Sequence, residues 1–132
     1  MVVSAQFRLG GFYAETVRRI AARGARPEAL LLWVVAAAGL ISAVLANDIV
    51  CFAMAPMLVE TCARRRIAPL PFLLALACAS NVGSAATLIG NPQNMYIGQA
   101  LDLSFAGYLL DGVPPAAFGL LIVWLVIRWQ WR

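Results

Sequence analysis

The sequence predicts an all-α membrane protein, and three observations carry this prediction. Hydrophobic residues make up 63% of the 132 residues and charged residues only 12%, which is far from the composition of soluble domains. All 10 basic residues are arginines, and they stand outside the long apolar stretches. Small and polar residues interrupt the apolar sequence twice, at 47–48 and 80–94, and each interruption is expected to break a membrane helix.

The first predicted element is an amphipathic helix over residues 7–25. Apolar side chains such as Phe12 and Val17 recur at roughly helical spacing, while Arg18 and Arg19 project elsewhere. This pattern is typical of helices at the membrane interface. We therefore expect an interfacial helix that lies at the membrane surface.

The second predicted element is a re-entrant helical hairpin over residues 29–60. The apolar run at 29–46 is barely long enough for one crossing, and the run at 49–59 is too short to span. Asn47 and Asp48 separate the two runs and would form the tip of the hairpin, with an ordinary loop between short spans as the alternative. An aspartate at membrane depth costs about 2.5 to 3.5 kcal/mol, so Asp48 should face a cavity, pair, bind a cation or take up a proton.

The third predicted element is a discontinuous transmembrane helix over residues 67–101. Within a helix, Gly90 would cost about 1 kcal/mol and Pro92 about 3 kcal/mol relative to alanine. The polar stretch at 80–94 therefore predicts two half-helices joined by unwound backbone, with a surface loop as the alternative. In such broken helices, C-terminal carbonyls bind cations and N-terminal amides attract anions.

Neutral side-chain oxygens accompany this break, and they favour a hard cation such as sodium. They belong to Ser80, Asn81, Ser84, Thr87, Asn91 and Asn94. Small residues at 83–86 would let the backbone approach a bound solute closely.

The last predicted element is one further transmembrane helix over residues 113–129, preceded by an amphipathic connector between Asp102 and Asp111. Prolines stand at the start of this helix, and tryptophans with Arg128 and Arg132 stand at its end. This order of elements brings all the arginines to one side of the membrane. The positive-inside rule makes that side cytoplasmic, so both termini are predicted to be cytoplasmic.

Several classes of function are excluded or disfavoured by the composition. The chain contains no histidine, and its serines, cysteines and aspartates show no spacing that pairs a nucleophile with a base, so no catalytic residue is predicted. The scattered arginines lack the soluble scaffold of a nucleic-acid-binding protein. The three cysteines fit neither a metal site nor a disulfide framework and are interpreted as small apolar fillers.

Two stretches resemble the ion transporter superfamily that includes arsenite permeases, citrate-type (CitMHS-like) carriers and divalent anion:sodium symporters. "SNVGSAATLIGNPQN", residues 80–94, is similar to the unwound loop of that family, and "LANDIVCFAMAPML", residues 45–58, is similar to its hairpin tip. The tip with Asp48 resembles the arsenite permease form more than the Ser-Asn-Thr form of dicarboxylate symporters. The usual Thr-Pro of the family is Ala55-Pro56 here.

The resemblance implies that hairpin tip and loop meet near mid-membrane and form one site for substrate and cation. Carried over to this chain, the substrate and cation site consists of Asn47, Asp48, Ser80, Asn81, Gly83, Thr87, Gly90, Asn91 and Asn94. The sodium ligands implied among them are Asn47, Asp48, Ser80, Asn81 and Gly83.

The resemblance further implies secondary active transport of a small anion or oxyanion-like solute, such as arsenite or a dicarboxylate, coupled to sodium or protons. Residues 1–132 would form a single partial transporter domain in a bacterial inner membrane. Family members carry two inverted repeats, so we expect a missing second repeat or a homo-oligomer as partner, besides the lipid bilayer and the solute. The alternative is a non-transporting subunit or truncated relic that only assembles with a partner. No cofactor is expected.

Overall fold

The structure is a computed structural model that describes residues 2, 6, 9–23 and 26–131. Within these residues the secondary structure is helical and contains no strand. Six helices follow one another in the described part of the chain: α1 Phe12–Arg23, α2 Pro27–Val44, α3 Asn47–Arg65, α4 Leu70–Ser84, α5 Pro92–Ala100 and α6 Phe105–Gln130. Two of them, α2 and α6, are long and apolar enough to cross a membrane, each with a mean hydropathy of 1.9.

Helices α2 and α3 form a helical hairpin joined by a short turn, and its arms are somewhat longer than the sequence indicated. Proline occupies the first turn of α2, where its missing N–H group costs nothing, and the helix ends where Leu45 turns extended (φ −111°, ψ 153°). Asn47 then starts α3, which continues to Arg65 rather than ending at residue 60. Arg66 closes it in the left-handed conformation (φ 57°) that often ends helices.

Helix α4 lies at the centre of the bundle, packed against α2, α3 and α6. Its buried residues form two adjacent i, i+4 rows, and most of them are small. At its closest approach to α2, a Cβ atom on Gly83 would lie 2.2 Å from the carbonyl oxygen and 2.5 Å from the Cα of Gly39. The two backbones therefore touch at this crossing, which only a residue without a side chain permits.

The predicted break in the helix over 67–101 is present, but it is shorter than the stretch at 80–94. Helix α4 continues to Ser84, the backbone is unwound over 85–91, and α5 begins at Pro92. Ser80 and Asn81 remain helical, and their side chains donate to the Ala77 carbonyl, at 3.0 and 3.1 Å. These hydrogen bonds to the preceding turn are compatible with an α-helix.

Helix α6 begins at Phe105, well before residue 113, where the sequence indicated its start. The Ser104 hydroxyl caps it by accepting a hydrogen bond from the Gly107 amide at 3.2 Å. The region between Asp102 and Asp111, predicted as a connector, is therefore mostly part of this helix. The prolines at 114 and 115 lie inside the helix, where they release two carbonyls of the preceding turn from helical hydrogen bonding.

Helix α1 packs along the hairpin. Its buried side chains are Tyr13, Val17 and Ile20. The Arg23 guanidinium lies 5.5 Å from the ring of Trp33 near the start of α2. Of the predicted helix over 7–25, residues 7, 8, 24 and 25 lie outside the described residues.

Arginines gather at one end of the bundle. Arg128 near the end of α6 forms an ion pair with Glu28 in the first turn of α2, at 2.9 Å, and its guanidinium lies 5.0 Å from the ring of Trp124. Arg64 and Arg65 end α3, and Arg65 donates to the Ala21 carbonyl of α1, whose Arg23 lies over Trp33 near the start of α2. We call this the arginine end of the bundle. Arg132, a predicted anchor, lies outside the described residues.

We predict that Gly83→Ala destabilises the chain by at least about 2 kcal/mol, because the added methyl group forces two backbones apart in a close-packed interface. Cys78→Leu, on the exposed side of the same helix, is the control and should change stability by less than about 0.5 kcal/mol. Thermal unfolding of the purified variants in detergent micelles measures both. Equal midpoints for the parent and Gly83→Ala would contradict the backbone contact.

Candidate functional site

The two interruptions of the sequence meet in one cavity. The cavity has a volume of about 400 Å³ and lies between the hairpin tip, the end of α4 and the start of α5. Its walls are formed by Asn47, Asp48, Asn81, Ser84, Asn91, Pro92, Gln93 and Asn94. Every lining residue except the proline carries a polar side chain, in a chain that is otherwise mostly apolar.

Two side-chain contacts join the hairpin tip to α4. The Asn47 side-chain amide donates to the Asn81 side-chain oxygen at 2.7 Å. One helical turn further along α3, the Cys51 sulfur lies 2.9 Å from the hydroxyl of Ser80, the residue before Asn81 on α4. Because that hydroxyl donates its single hydrogen to the Ala77 carbonyl, Cys51 is the donor to Ser80. The tip is thereby fixed in register with the half-helix.

The unwound loop over 85–91 is held from both sides. On one side, the Thr87 hydroxyl donates to the Ala43 carbonyl at the end of α2. On the other side, the Asn94 side-chain amide donates to the carbonyls of Ser84, at 3.3 Å, and Thr87, at 3.0 Å. These bonds satisfy polar groups that would otherwise be unpaired in an apolar surrounding.

Two helix N-termini and one C-terminus border the cavity. Helix α3 starts without a side-chain cap, and Asp48 stands exposed in its first turn. Helix α5 is capped by Asn91, whose side-chain oxygen accepts from the Asn94 amide at 2.8 Å. The unsatisfied amides and the dipole of a helix N-terminus favour an anion, so two such ends beside one polar cavity make a plausible anion site.

The C-terminus of α4 is largely satisfied from within the protein. The carbonyls of Val82 and Gly83 accept from the amides of Ala85 and Ala86, at 3.2 and 3.1 Å. The Asn81 carbonyl accepts from the Ser84 hydroxyl at 2.7 Å. Side chains, rather than these carbonyls, therefore supply most of the oxygens that face the cavity.

Five of the residues that the sequence singled out line the cavity. They are Asn47, Asp48, Asn81, Asn91 and Asn94. Their convergence follows from the fold, since the hairpin tip lies beside the end of α4.

The other four candidates, Ser80, Gly83, Thr87 and Gly90, do not line the cavity. Ser80 and Thr87 are buried and make the hydrogen bonds described above. Gly83 contacts α2, and a Cβ atom on Gly90 would lie 2.1 Å from the Ser84 carbonyl oxygen. The structure places these four residues around the site, where they hold its backbone.

Three lining residues, Ser84, Pro92 and Gln93, are absent from the nine residues that the resemblance implied, although Ser84 was among the side-chain oxygens expected at the break. The signal for them in the sequence was Pro92 itself, because a proline at the first position of a helix places the residues that follow it, here Gln93, in the first turn of that helix. The contact between Cys51 and Ser80 left no signal in the sequence, since cysteine at such positions usually only packs.

The donor set fits a monovalent or hard cation better than a transition metal. Within the described residues, no cluster of three or more histidine, cysteine, aspartate or glutamate side chains could hold a metal ion. The cavity offers the Asp48 carboxylate together with amide and hydroxyl oxygens. Hard cations prefer such oxygen ligands.

Comparison with known proteins gives the same assignment as the resemblance of the two motifs. The family description that matches is that of the citrate transporter family (CitMHS), over residues 1–131. The silicon efflux transporter LSI3 of Oryza sativa subsp. japonica is 35% identical over 98% of this chain and 27% of its own length. The inner membrane protein YbiR of Escherichia coli K12 is 32% identical over 98% of this chain and 34% of its own length.

A putative transporter arsB of Dictyostelium discoideum is 35% identical over 61% of this chain and 14% of its own length. The chain thus spans about a third or less of the length of these relatives. No solved structure is significantly similar to it. Because the family match covers nearly the whole sequence, the chain belongs to the citrate transporter family, a family of membrane transport proteins rather than of enzymes.

Proposed function

We propose that the chain forms part of a secondary active transporter that moves a small anion or oxyanion-like solute across a membrane, coupled to sodium or protons. The solute belongs to the class of arsenite, dicarboxylates or related compounds. The observation that carries this proposal is the polar cavity that both interruptions of the apolar sequence share. Family membership and the names of its relatives, a silicon efflux transporter among them, support the same class of activity.

The length of the helices supports a site at membrane depth. On α3, Glu60 lies 13 residues after Asn47, which corresponds to a rise of about 20 Å along the helix axis. On α6, Trp124 lies 12 residues after Gly112, which corresponds to a rise of about 18 Å. Trp124 and Glu60 are suited to one membrane interface, and Gly112 packs beside the loop. From Trp124 to Phe105, α6 rises about 28 Å, close to the full hydrocarbon thickness of about 30 Å. The cavity then lies inside the bilayer.

This placement makes α2 and α3 a re-entrant hairpin that enters from the arginine end and turns at the cavity. Helix α1 lies at that interface, with the exposed ion pair of Glu15 and Arg19 reaching toward the headgroups. By the positive-inside rule, the arginine end is cytoplasmic in a bacterial inner membrane. Both termini of the chain are then cytoplasmic.

The chemistry of the cavity favours different binding positions for the anion and for the coupling cation. The anion binds at the N-termini of α3 and α5, where the helix dipoles are positive. The sodium ion or the proton binds at the Asp48 carboxylate, with Asn47 as the neighbouring oxygen ligand. Occupation by a cation removes the repulsion between Asp48 and the anionic solute, which couples the two binding events.

The site is preorganised by residues around it. Asn94 bonds two loop carbonyls, and Thr87 fastens the loop to α2. A loop whose polar groups are already paired need not rearrange when the solute arrives, so less binding energy is spent on ordering it.

The carrier also needs a partner surface. Helix α6 exposes large apolar side chains along most of its length, including Leu110 (76% exposed) and Phe118 (66% exposed). Lipid covers part of this surface, and a second repeat or a second copy of the chain covers the cavity side, because a polar cavity open to lipid is costly.

We predict that Asp48→Asn and Asn81→Ala each lower solute flux at least tenfold in vesicles that contain the complete carrier. Asp48→Asn removes the charge that binds the coupling cation, and Asn81→Ala removes the partner of Asn47. Flux is measured for dicarboxylates, sulfate and arsenite, each with a sodium gradient, a pH gradient or neither. Asp102→Asn, which changes an acid outside the cavity, is the control and should keep flux within about twofold.

The gradient that drives flux identifies the coupling ion. Gradient-driven flux that persists in both variants would contradict the site. Absence of flux for every solute in the unmodified carrier would contradict transport itself and favour a non-transporting subunit.

We also predict that Asn94→Leu loosens the loop without unfolding the helices. Leucine leaves two loop carbonyls without their donor, at a local cost of about 1–3 kcal/mol. Hydrogen exchange at residues 85–91 should therefore rise about tenfold or more, while exchange in α2 stays unchanged. Gln93→Leu, the neighbouring lining residue, is the control. Equal exchange in all three proteins would show that Asn94 does not hold the loop.

A further inference from the structure

A second cavity lies at the arginine end, far from the site described above. It is a groove of about 340 Å³ between α1 and α3. From α1 it is lined at i, i+3, i+4 and i+7 by one helical face, and from α3 by a similar face that ends at Arg65. Its volume lies in the range of small-ligand sites, about 300–1,000 Å³.

The inner end of the groove is apolar. Ala14 and Val17 of α1 and Met57 of α3 form it, one to two helical turns before the contact between Arg65 and the Ala21 carbonyl. This part of the groove offers surface for a hydrocarbon chain and no group that would bind a charged solute.

The outer end of the groove is basic. Arg18 of α1 and Arg64 of α3 flank it, and Arg65 crosses it to donate to the Ala21 carbonyl, which fixes the spacing of the two helices. Glu60 is the one acidic residue among the lining residues. Arg128, paired with Glu28, lies at the same end of the bundle.

Charge around the groove favours an anion. Between them, α1 and residues 60–66 contain six arginines and two glutamates, which is a net charge of +4. Arg19 and Arg18 lower the pKa of the Glu15 carboxyl by hydrogen bonding and by charge, so Glu15 stays ionised at neutral pH and neutralises part of this charge. Arg18 and Arg64 each make an exposed ion pair with a glutamate, and such pairs contribute little to the stability of a protein. Each guanidinium has five N–H donors, so it can bind a phosphate while it keeps its hydrogen bond to the glutamate.

From this polarity we infer that the groove between α1 and α3 binds an anionic phospholipid, with its acyl chain against Ala14 and Met57 and its phosphate between Arg18 and Arg64. A free phosphate would match the basic end alone and would leave the apolar end without a ligand. Anionic headgroups on the cytoplasmic side bind basic pockets between helices in this way. The bound lipid packs α1 against α3 and thereby steadies the hairpin that carries the transport site.

Native mass spectrometry of the purified full chain in detergent tests this inference, with phosphatidylglycerol and phosphatidylcholine of identical acyl chains as probes. We expect phosphatidylglycerol to bind at least tenfold more tightly than phosphatidylcholine. Arg18→Gln with Arg64→Gln should lower that affinity about tenfold. Arg19→Gln with Arg66→Gln removes the same amount of charge outside the groove and should change the affinity for phosphatidylglycerol less than twofold.

Ala14→Trp provides a second variant that leaves every charge in place. The indole fills the inner end of the groove and should lower phosphatidylglycerol binding at least fivefold, whereas Ala22→Trp, on an exposed position that does not line the groove, should not. Equal losses in the two arginine pairs, equal binding of both lipids, or no effect of Ala14→Trp would overturn the lipid site. Displacement of the lipid by millimolar inorganic phosphate would show that the phosphate alone is recognised, and would overturn it as well.

Discussion

The contact between the backbones of α2 and α4 at Gly39 and Gly83 is the constraint on which the rest of the structure depends. Because the two helices touch there, their ends lie side by side: Thr87 after α4 reaches the Ala43 carbonyl of α2. The short turn after α2 then leaves the start of α3 next to Asn81. Larger side chains at the crossing would separate these ends by several ångströms, and the polar cavity would have no wall on one side.

The same side chains that pair the polar groups of the unwound loop also determine which polar groups face the cavity. Backbone that leaves a helix within a membrane must find partners for its polar groups, since each unsatisfied group costs several kcal/mol. Here the loop and the end of α4 are bonded by side chains that are themselves part of the loop or flank it, above all Asn94. The cost of breaking the helix is therefore mostly offset inside the protein. What remains directed at the cavity is a set of polar side chains, with Asp48 as their charge.

Much of this arrangement could be predicted from the sequence, and the remainder could not for physical reasons. Glycine, proline and polar residues in apolar sequence indicated both breaks, and the convergence of Asn47 with Asn81 followed the family resemblance. The pattern could not distinguish a small residue that makes room for a solute from one that lets two backbones touch, so Gly83 was assigned to the site. The sequence pattern also placed Ser80 in the loop, because a hydrogen bond from its side chain to the preceding helical turn cannot be recognised from the spacing of residues.

The proline pair in α6 has a mechanical consequence. Pro114 and Pro115 stand two and three residues after Gly112, which packs against the carbonyls of Ala85 and Ala86. Missing backbone bonds make a helix easier to bend at that level than anywhere else along its length. The N-terminal third of α6 can therefore bend together with the unwound loop while the rest of the helix keeps its place against α2, so that the most easily bent point of α6 lies level with that loop.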